Sequence, residues 1–517
     1  MKQLLVLVLQ FSSTLAVLKF ASYYADHMVL QRGPQRAIVW GYAATIGDEV
    51  TVTVSGQEEV KVKVVKDPNG NEGIWKAKLP AVTDPGPFTL TASSSEGDLT
   101  LTDVLFGDVW VCSGQSNMEM PMSQVINSSA EIAESLKFKT IRIIEVSMVE
   151  SPTPLEDLQS LAFQWTDPNE ADVSRFSALC MLFGEYIQPN RNYPLGLIDS
   201  TYGGTPIEAW SSPDAIAECP TPNNTYLSEE EYLNSDIMYD GNDGPVMPRS
   251  PLDKYVLWNA MINPLLDMTI SGALWYQGES NVWYPDLYAC QFPAMINDWR
   301  KKFHDSSEKE TDIQFPFGFV QLAPNAKSSE VGDFPAIRWS QTAKFGFAPN
   351  EKMSNTFMAV AMDLPDYDSP FGSIHPRYKQ DIASRLVLGA RAVAYGEEGV
   401  KFQGPFPQTF RLNNVNNILN VNYGDDIPIK VLNNNGFEVC CSGTSTTECA
   451  DSDEWVAAPI TDQDTNSVSV SVAGCESKSP VGLRYEWRTS PCDLRDCAIY
   501  GSDTDLPAPP YITKRGF

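Results

Sequence analysis

Ser116 ends an apolar run and opens a polar turn in Val111-Cys112-Ser113-Gly114-Gln115-Ser116-Asn117-Met118, which is where a hydrolase presents a nucleophile. Gly114 lets the chain turn sharply as it leaves a strand. The pattern is not the Gly-x-Ser-x-Gly elbow, because Met118 stands where that motif needs its second glycine. A serine hydrolase built this way needs a different fold. Serine also suits turns and helix caps for purely structural reasons, so partners elsewhere in the chain must decide between the two roles.

A serine nucleophile needs a base, and the chain contains 3 histidines. His27 falls in a region of β character, and His304 follows Arg300-Lys301-Lys302-Phe303 at what reads as an exposed helix end. His375 has the better setting. It precedes Pro376, which favours a first helical turn, and Ile382, Leu386, Ala390 and Val393 follow at helical spacing. A histidine there would feel the positive end of the helix macrodipole and stay neutral and basic.

Donors for a developing oxyanion come from three places: the N–H of Ser116, an N–H of Gly203 or Gly204, and a side-chain amide of Gln277 or Asn281. Glu279, an acid on a buried strand end, is expected to brace the loop rather than react. Asp363 ends another strand and is the candidate site carboxylate, with a loop-capping role as its structural alternative.

The elements that must hold these residues follow from hydrophobic periodicity. Val50-Thr51-Val52-Thr53-Val54 and Val60-Lys61-Val62-Lys63-Val64 alternate strictly, and Asp67-Pro68-Asn69-Gly70 and Asp84-Pro85-Gly86-Pro87 are turns. Residues 19–103 therefore read as an N-terminal β-sandwich. Residues 104–400 read as α/β, with short apolar strands separated by helical stretches, the mark of a parallel sheet. Five strands end in glycine, amide or acid residues: those leading to Ser116, to Gly203-Gly204-Thr205, to Gln277-Gly278-Glu279-Ser280-Asn281, to Gln321, and to Met362-Asp363. In a parallel sheet all five ends face one crevice. Residues 401–517 return to β character in Ile427-Pro428-Ile429-Lys430-Val431 and Val468-Ser469-Val470-Ser471-Val472.

The 517 residues allow two to four domains. Residues 1–18 read as a secretory signal peptide, with one lysine before an apolar run that weakens at Gln10, Ser12 and Ser13. No other segment is long and apolar enough to span a bilayer. Export makes the 10 cysteines legible as disulfides. Cys440, Cys441, Cys449, Cys475, Cys492 and Cys497 mark a stapled C-terminal module rather than a metal site, whereas Cys112 reads as a core thiol. Asn127 and Asn223 head glycosylation tripeptides. A net charge of −29 sets nucleic acid and anionic lipid aside as partners and suits a lysosomal or extracellular setting.

Four motifs carry a resemblance: Cys112-Ser113-Gly114-Gln115-Ser116-Asn117-Met118-Glu119-Met120-Pro121, Tyr202-Gly203-Gly204-Thr205-Pro206-Ile207-Glu208-Ala209-Trp210, Trp275-Tyr276-Gln277-Gly278-Glu279-Ser280-Asn281 and Ser369-Pro370-Phe371-Gly372-Ser373-Ile374-His375-Pro376-Arg377. Together they resemble the sialate O-acetylesterases, carbohydrate esterases of the SGNH-hydrolase type, over nearly the whole chain. The resemblance implies a flavodoxin-like three-layer parallel-sheet core with accessory N- and C-terminal β domains. It also implies hydrolysis, without cofactor or metal, of O-acetyl esters on sialic acids, with the 9-O-acetyl group as the expected target, free or on glycoconjugates.

Carried onto this chain, the resemblance makes Ser116 the nucleophile, His375 the base, and Ser116, Gly204 and Gln277 the oxyanion donors. Many SGNH enzymes carry an acid three residues before the histidine, where this chain has Gly372. The orienting role then falls to Asp363, Asp366 or Asp368, or to a main-chain carbonyl such as that of Ser373. The carboxylate of sialic acid calls for an arginine or an equivalent donor set, with Arg338 and Arg377 as candidates. The rival readings are an acetylesterase on another acetylated glycan and a non-catalytic secreted glycan-binding protein.

Overall fold

The computed structural model describes residues 18–68, 70, 73–220, 253–327, 331–445, 447–450 and 452–517. The expected leader, apart from Leu18, and the acceptor Asn223 lie outside the described residues. Labels below are kept for the elements that carry the site.

One strand ties the molecule together. β1 (Gly97–Gly114) runs for 18 residues, and its burial changes from alternating to continuous along its length. Its first half pairs antiparallel with Phe88–Ser94 of the N-terminal module, where Leu99 and Leu101 point inward between polar neighbours. Its second half is covered on both faces, as the near-continuous apolar run from Val104 requires. The junction expected between residues 103 and 104 therefore lies inside a strand, at Asp103, which takes a φ of 53°. His27 spends its Nδ1 on that same Asp103, at 2.8 Å, far from any candidate nucleophile.

The second half of β1 is flanked by β2 (Ile141–Val146), β3 (Leu161–Thr166), β4 (Leu195–Thr201), β5 (Gly272–Tyr276), β6 (Phe317–Gln321) and β7 (Thr356–Val360). Their order across the sheet is β3-β2-β4-β1-β5-β6-β7, parallel except for β3. The five expected strands are present, joined by β2 and β3, which hydrophobic periodicity did not place. From β1 the chain goes out to β2, returns through β4, and then crosses to β5 on the other flank. β1 is thus the switch point, and a crevice opens at its carboxyl end. Thr201, Gly114 and Tyr276 end β4, β1 and β5 in register.

Tryptophans show the three layers. Trp110 of β1 packs against Phe183 of α2 (Ala178–Ile187), whereas Trp275 of β5 packs on the opposite face against Phe292 and Trp299 of α3 (Pro285–Ser306). The flavodoxin-like core with β modules at either end is therefore the architecture the sequence led us to expect.

In the C-terminal module, Thr409–Asn413, Ile418–Asn422, Ser467–Ser471 and Ile460–Asp464 make one sheet, and Glu454–Ala457, Phe437–Ser442, Ser479–Tyr485 and Tyr511–Thr513 another. Its cysteines pair as Cys440–Cys449, Cys441–Cys475 and Cys492–Cys497. Two more disulfides, Cys112–Cys180 and Cys219–Cys290, lie in the α/β core. Cys112 is therefore no free thiol. It bonds β1 to α2 across 68 residues of chain, a closure worth about 4 kcal/mol in the chain-entropy view. Among the described residues, no helix is long and apolar enough to cross a membrane.

Candidate active site

The serine turn is built by backbone contact. Gly114 takes a φ of 138°, and a Cβ on it would lie 2.2 Å from the Tyr276 carbonyl oxygen, so only glycine fits. That closeness lets the Gln115 N–H donate to the Tyr276 carbonyl at 3.0 Å. The Gln115 carbonyl then accepts from the N–H groups of Met118 and Glu119, starting the single turn α1 (Ser116–Glu119). Ser116 is its first residue, where a backbone N–H has no intrahelical acceptor. Gly203 closes in from β4, and a Cβ built there would come within 3.4 Å of Ser116 Cβ. Gly204 follows with a φ of 71°. The Glu119 carboxyl beside this turn is pushed up by burial, opposed by a hydrogen bond from the Gly203 N–H.

His375 meets the serine. Its Nε2 lies 2.8 Å from Ser116 Oγ, and its Nδ1 lies 2.7 Å from the Phe371 carbonyl oxygen. A carbonyl only accepts, so Nδ1 carries the proton and Nε2 presents its lone pair to the hydroxyl. The loop is shaped for this. Gly372 takes a φ of 86°, the His375 N–H donates to the Gly372 carbonyl at 2.9 Å, and Ser369 Oγ donates to the His375 carbonyl at 2.9 Å. The helix expected to begin at His375 starts later, as α4 (Lys379–Gly389), because the chain first has to make this turn. The imidazole is therefore oriented by the loop and not by the helix terminus.

The expected carboxylate is elsewhere. Asp363 is fully buried, accepts from both terminal nitrogens of Arg385 at 2.6 and 2.8 Å, and accepts from Tyr500 Oη at 3.1 Å. It joins the core to the C-terminal module and does not face the imidazole. Asp366 is held by Arg377, and Asp368 is exposed. The orienting carbonyl is that of Phe371, two residues before the expected Ser373.

The amides also have other partners. Gln277 Nε2 gives its two hydrogens to the Thr205 carbonyl at 3.1 Å and to Asn281 Oδ1 at 2.7 Å, while its Oε1 accepts from Tyr288 at 3.0 Å. Asn281 Nδ2 donates to Glu208 at 2.9 Å, and its Oδ1 also accepts from the Ile207 N–H at 2.9 Å. Both side chains therefore fix the loops under the crevice. Gln277 has no hydrogen left for an oxyanion, so the structure does not offer this amide in the donor role expected of it.

Neither arginine is free for a substrate. Arg338 is buried and donates to the carbonyls of Leu322, Ala323, Arg488 and Thr489. Arg377 forms a two-pronged pair with Asp366 at 2.6 and 2.9 Å. Two exposed aromatics, Trp283 and Phe371, stand on the loops that carry Asn281 and His375. Glu279 accepts from Asn117 Nδ2 at 2.6 Å, as a brace should. Lys379, buried below the same loop, and the Phe371 carbonyl had no signal in the sequence; Asn117 stood in the serine motif with no role assigned.

Asn127, which heads one of the expected glycosylation tripeptides, is exposed and precedes a short helix, Ser128–Ser135.

Known proteins share this organisation. Residues 408–515 match the sialate O-acetylesterase C-terminal domain. The mouse sialate O-acetylesterase is 43% identical over 96% of this chain and 94% of its own, and the human one is 43% identical over 96% and 92%. Among solved structures, a carbohydrate acetylesterase from Xanthomonas citri superposes with a TM-score of 0.76 at 27% identity, covering 96% of this chain and 100% of its own. A serine–histidine pair at the switch point of an SGNH-type core, with relatives of this identity along nearly the full chain, makes it a member of the sialate O-acetylesterase family, an esterase.

Proposed function

We propose that the protein removes O-acetyl groups from sialic acids, the 9-O-acetyl ester above all, through an acetyl-enzyme on Ser116. The observation that carries this reading is the 2.8 Å contact of His375 Nε2 with Ser116 Oγ. Ser116 Oγ attacks the acetyl carbonyl carbon while Nε2 takes its proton, and the N–H groups of Ser116 and Gly204 receive the oxyanion. The imidazolium returns that proton to the departing sugar oxygen. Nε2 then takes a proton from water, which attacks the acetyl carbon; acetate leaves and Ser116 regains its hydrogen.

The committed arginines favour the 9-O position. An acetate at the tip of the glycerol side chain reaches the serine while the sugar carboxylate stays outside the crevice. Trp283 and Phe371 offer apolar faces for the rest of the sugar. Acetate release from purified mono-O-acetylated sialic acids and from acetylated xylan tests the assignment. Turnover of xylan at equal or better kcat/KM would overturn it in favour of the broader glycan reading, which the likeness to the Xanthomonas carbohydrate acetylesterase suits. A pre-aligned dyad with a fixed tautomer speaks against a vestigial crevice.

Passage through the secretory pathway fits the five disulfides and the exposed acceptor Asn127. Secretion of the full chain with a glycosidase-sensitive mass shift lost in Asn127→Gln tests that part.

A further inference from the structure

The carbonyls on both sides of His375 are gripped from inside the protein. Asn117 Nδ2 donates to the Ile374 carbonyl at 2.8 Å, and Lys379 Nζ donates to the Pro376 carbonyl at 2.8 Å. The grips are joined, because Lys379 Nζ also donates to Asn117 Oδ1 at 2.8 Å, and Asn117 Nδ2 reaches Glu279 Oε1 at 2.6 Å. Pro376 has no N–H of its own, so the chain after His375 depends on its carbonyl for an anchor.

The residues used are costly ones. Lys379 is 0% exposed and Glu279 5%, and desolvating such charges is unfavourable. Among the described residues no carboxylate lies within ion-pair distance of Lys379, so its cation and Glu279 communicate through the Asn117 amide. Burial brings Lys379 down to about 7, against the pull of Glu279 and Asp366, and pushes Glu279 up. Simple packing would be served by apolar side chains; two carbonyls fixed 2.8 Å from donors require these polar ones.

We propose that Lys379, Asn117 and Glu279 form a clamp that positions His375 through the backbone on both sides of it. Lys379 and Glu279 are positioning residues, since they act through Asn117 and the loop and touch no reacting atom. The inference rests on the reading that Ser116 and His375 are the catalytic pair.

The test uses the full-length protein, with active sites counted by fluorophosphonate labelling of Ser116. In Lys379→Met the length is kept and the donors are lost, so kcat per labelled site should fall about 10- to 100-fold with KM within about 3-fold, as misplacement of a base predicts. Charge gives a second readout. The charged and titratable groups around the loop are Lys379, Glu279, Tyr276 and Asp366 with its partner Arg377, and Glu119 lies beside the serine turn. Loss of the Lys379 cation favours the imidazolium, moving the acid limb of kcat/KM to higher pH, whereas Glu279→Gln should move it lower. Lost stability alone would move neither limb. Parental kcat per site together with coincident pH profiles would overturn the clamp. Should Lys379→Met not fold, the isosteric Glu279→Gln decides the matter by the same two readouts. A fully active Ser116→Ala protein would instead overturn the catalytic pair itself.

Discussion

His375 Nδ1 lies 2.7 Å from the carbonyl oxygen of Phe371, so a main-chain acceptor fixes the tautomer of the imidazole. A carbonyl fixes the tautomer as well as an acid does but brings no full charge to the imidazolium. Ser116→Ala and His375→Ala are each expected to lower kcat/KM by at least about 10³-fold while thermal unfolding stays near that of the parent. Measured acetate release within tenfold of the parent in either folded variant would rule the dyad out.

Asp363 gives the complementary expectation. Its carboxylate neutralises buried Arg385 and accepts from Tyr500, so Asp363→Asn leaves a cation underpaired where core and C-terminal module meet. Breaking such a pair costs about 3 kcal/mol. Denaturant unfolding should report that loss, with kcat per labelled Ser116 within about threefold of the parent. A stable variant whose kcat has collapsed would return Asp363 to the catalytic machinery.

How far the site can be read from the chain depends on what carries each role. Ser116 and His375 stand out because one serine follows a strand and a glycine, and because His27 and His304 have ordinary surroundings. The Phe371 carbonyl is invisible, since every residue has a carbonyl and only the turn at Gly372 aims this one. Lys379 carries no signal in the sequence; its burial follows from packing that no local pattern records. β2 escaped because Arg142 and Glu145 interrupt its apolar run, although both faces are covered once the sheet forms. Cys112 gave no sign of its partner, because Cys180 sits inside an apolar helix whose placement against β1 is purely tertiary.

Several carboxyls link stability to pH. Burial pushes Glu486 up to about 7 and Glu185 up to about 8, the latter helped by Glu131 and Glu134 and opposed by a hydrogen bond from Ser135. Each binds its proton more tightly folded than unfolded. Their stabilisation is complete below the unfolded value near 4.5 and is lost as pH rises through the folded value, on the order of 3 to 5 kcal/mol each. Carboxylates held low by partners, such as Asp366, act in the opposite sense only below about pH 4, outside this window. Melting should therefore occur at higher temperature at pH 5 than at pH 7.5, and Glu185→Gln should flatten the difference. A melting temperature that climbs between pH 5 and 7.5 would contradict the assignment.

The sugar carboxylate supplies the last expectation. A substrate carboxylate bound by an arginine gains about 1.5–3 kcal/mol, which is roughly 10- to 150-fold in kcat/KM. Arg377 is already bonded to Asp366 at 2.6 and 2.9 Å, and Arg338 to four backbone carbonyls, so this crevice has neither guanidinium to offer. Converting the carboxylate of a 9-O-acetylated sialic acid to its methyl ester should consequently change kcat/KM for acetate release by no more than about threefold. Arg377→Lys should leave the ratio between acid and ester unchanged, even where it loosens the loop. A drop of thirtyfold or more on esterification would show that a cation in or beside the crevice does recognise the carboxylate, and would shift the favoured acetyl position toward the ring.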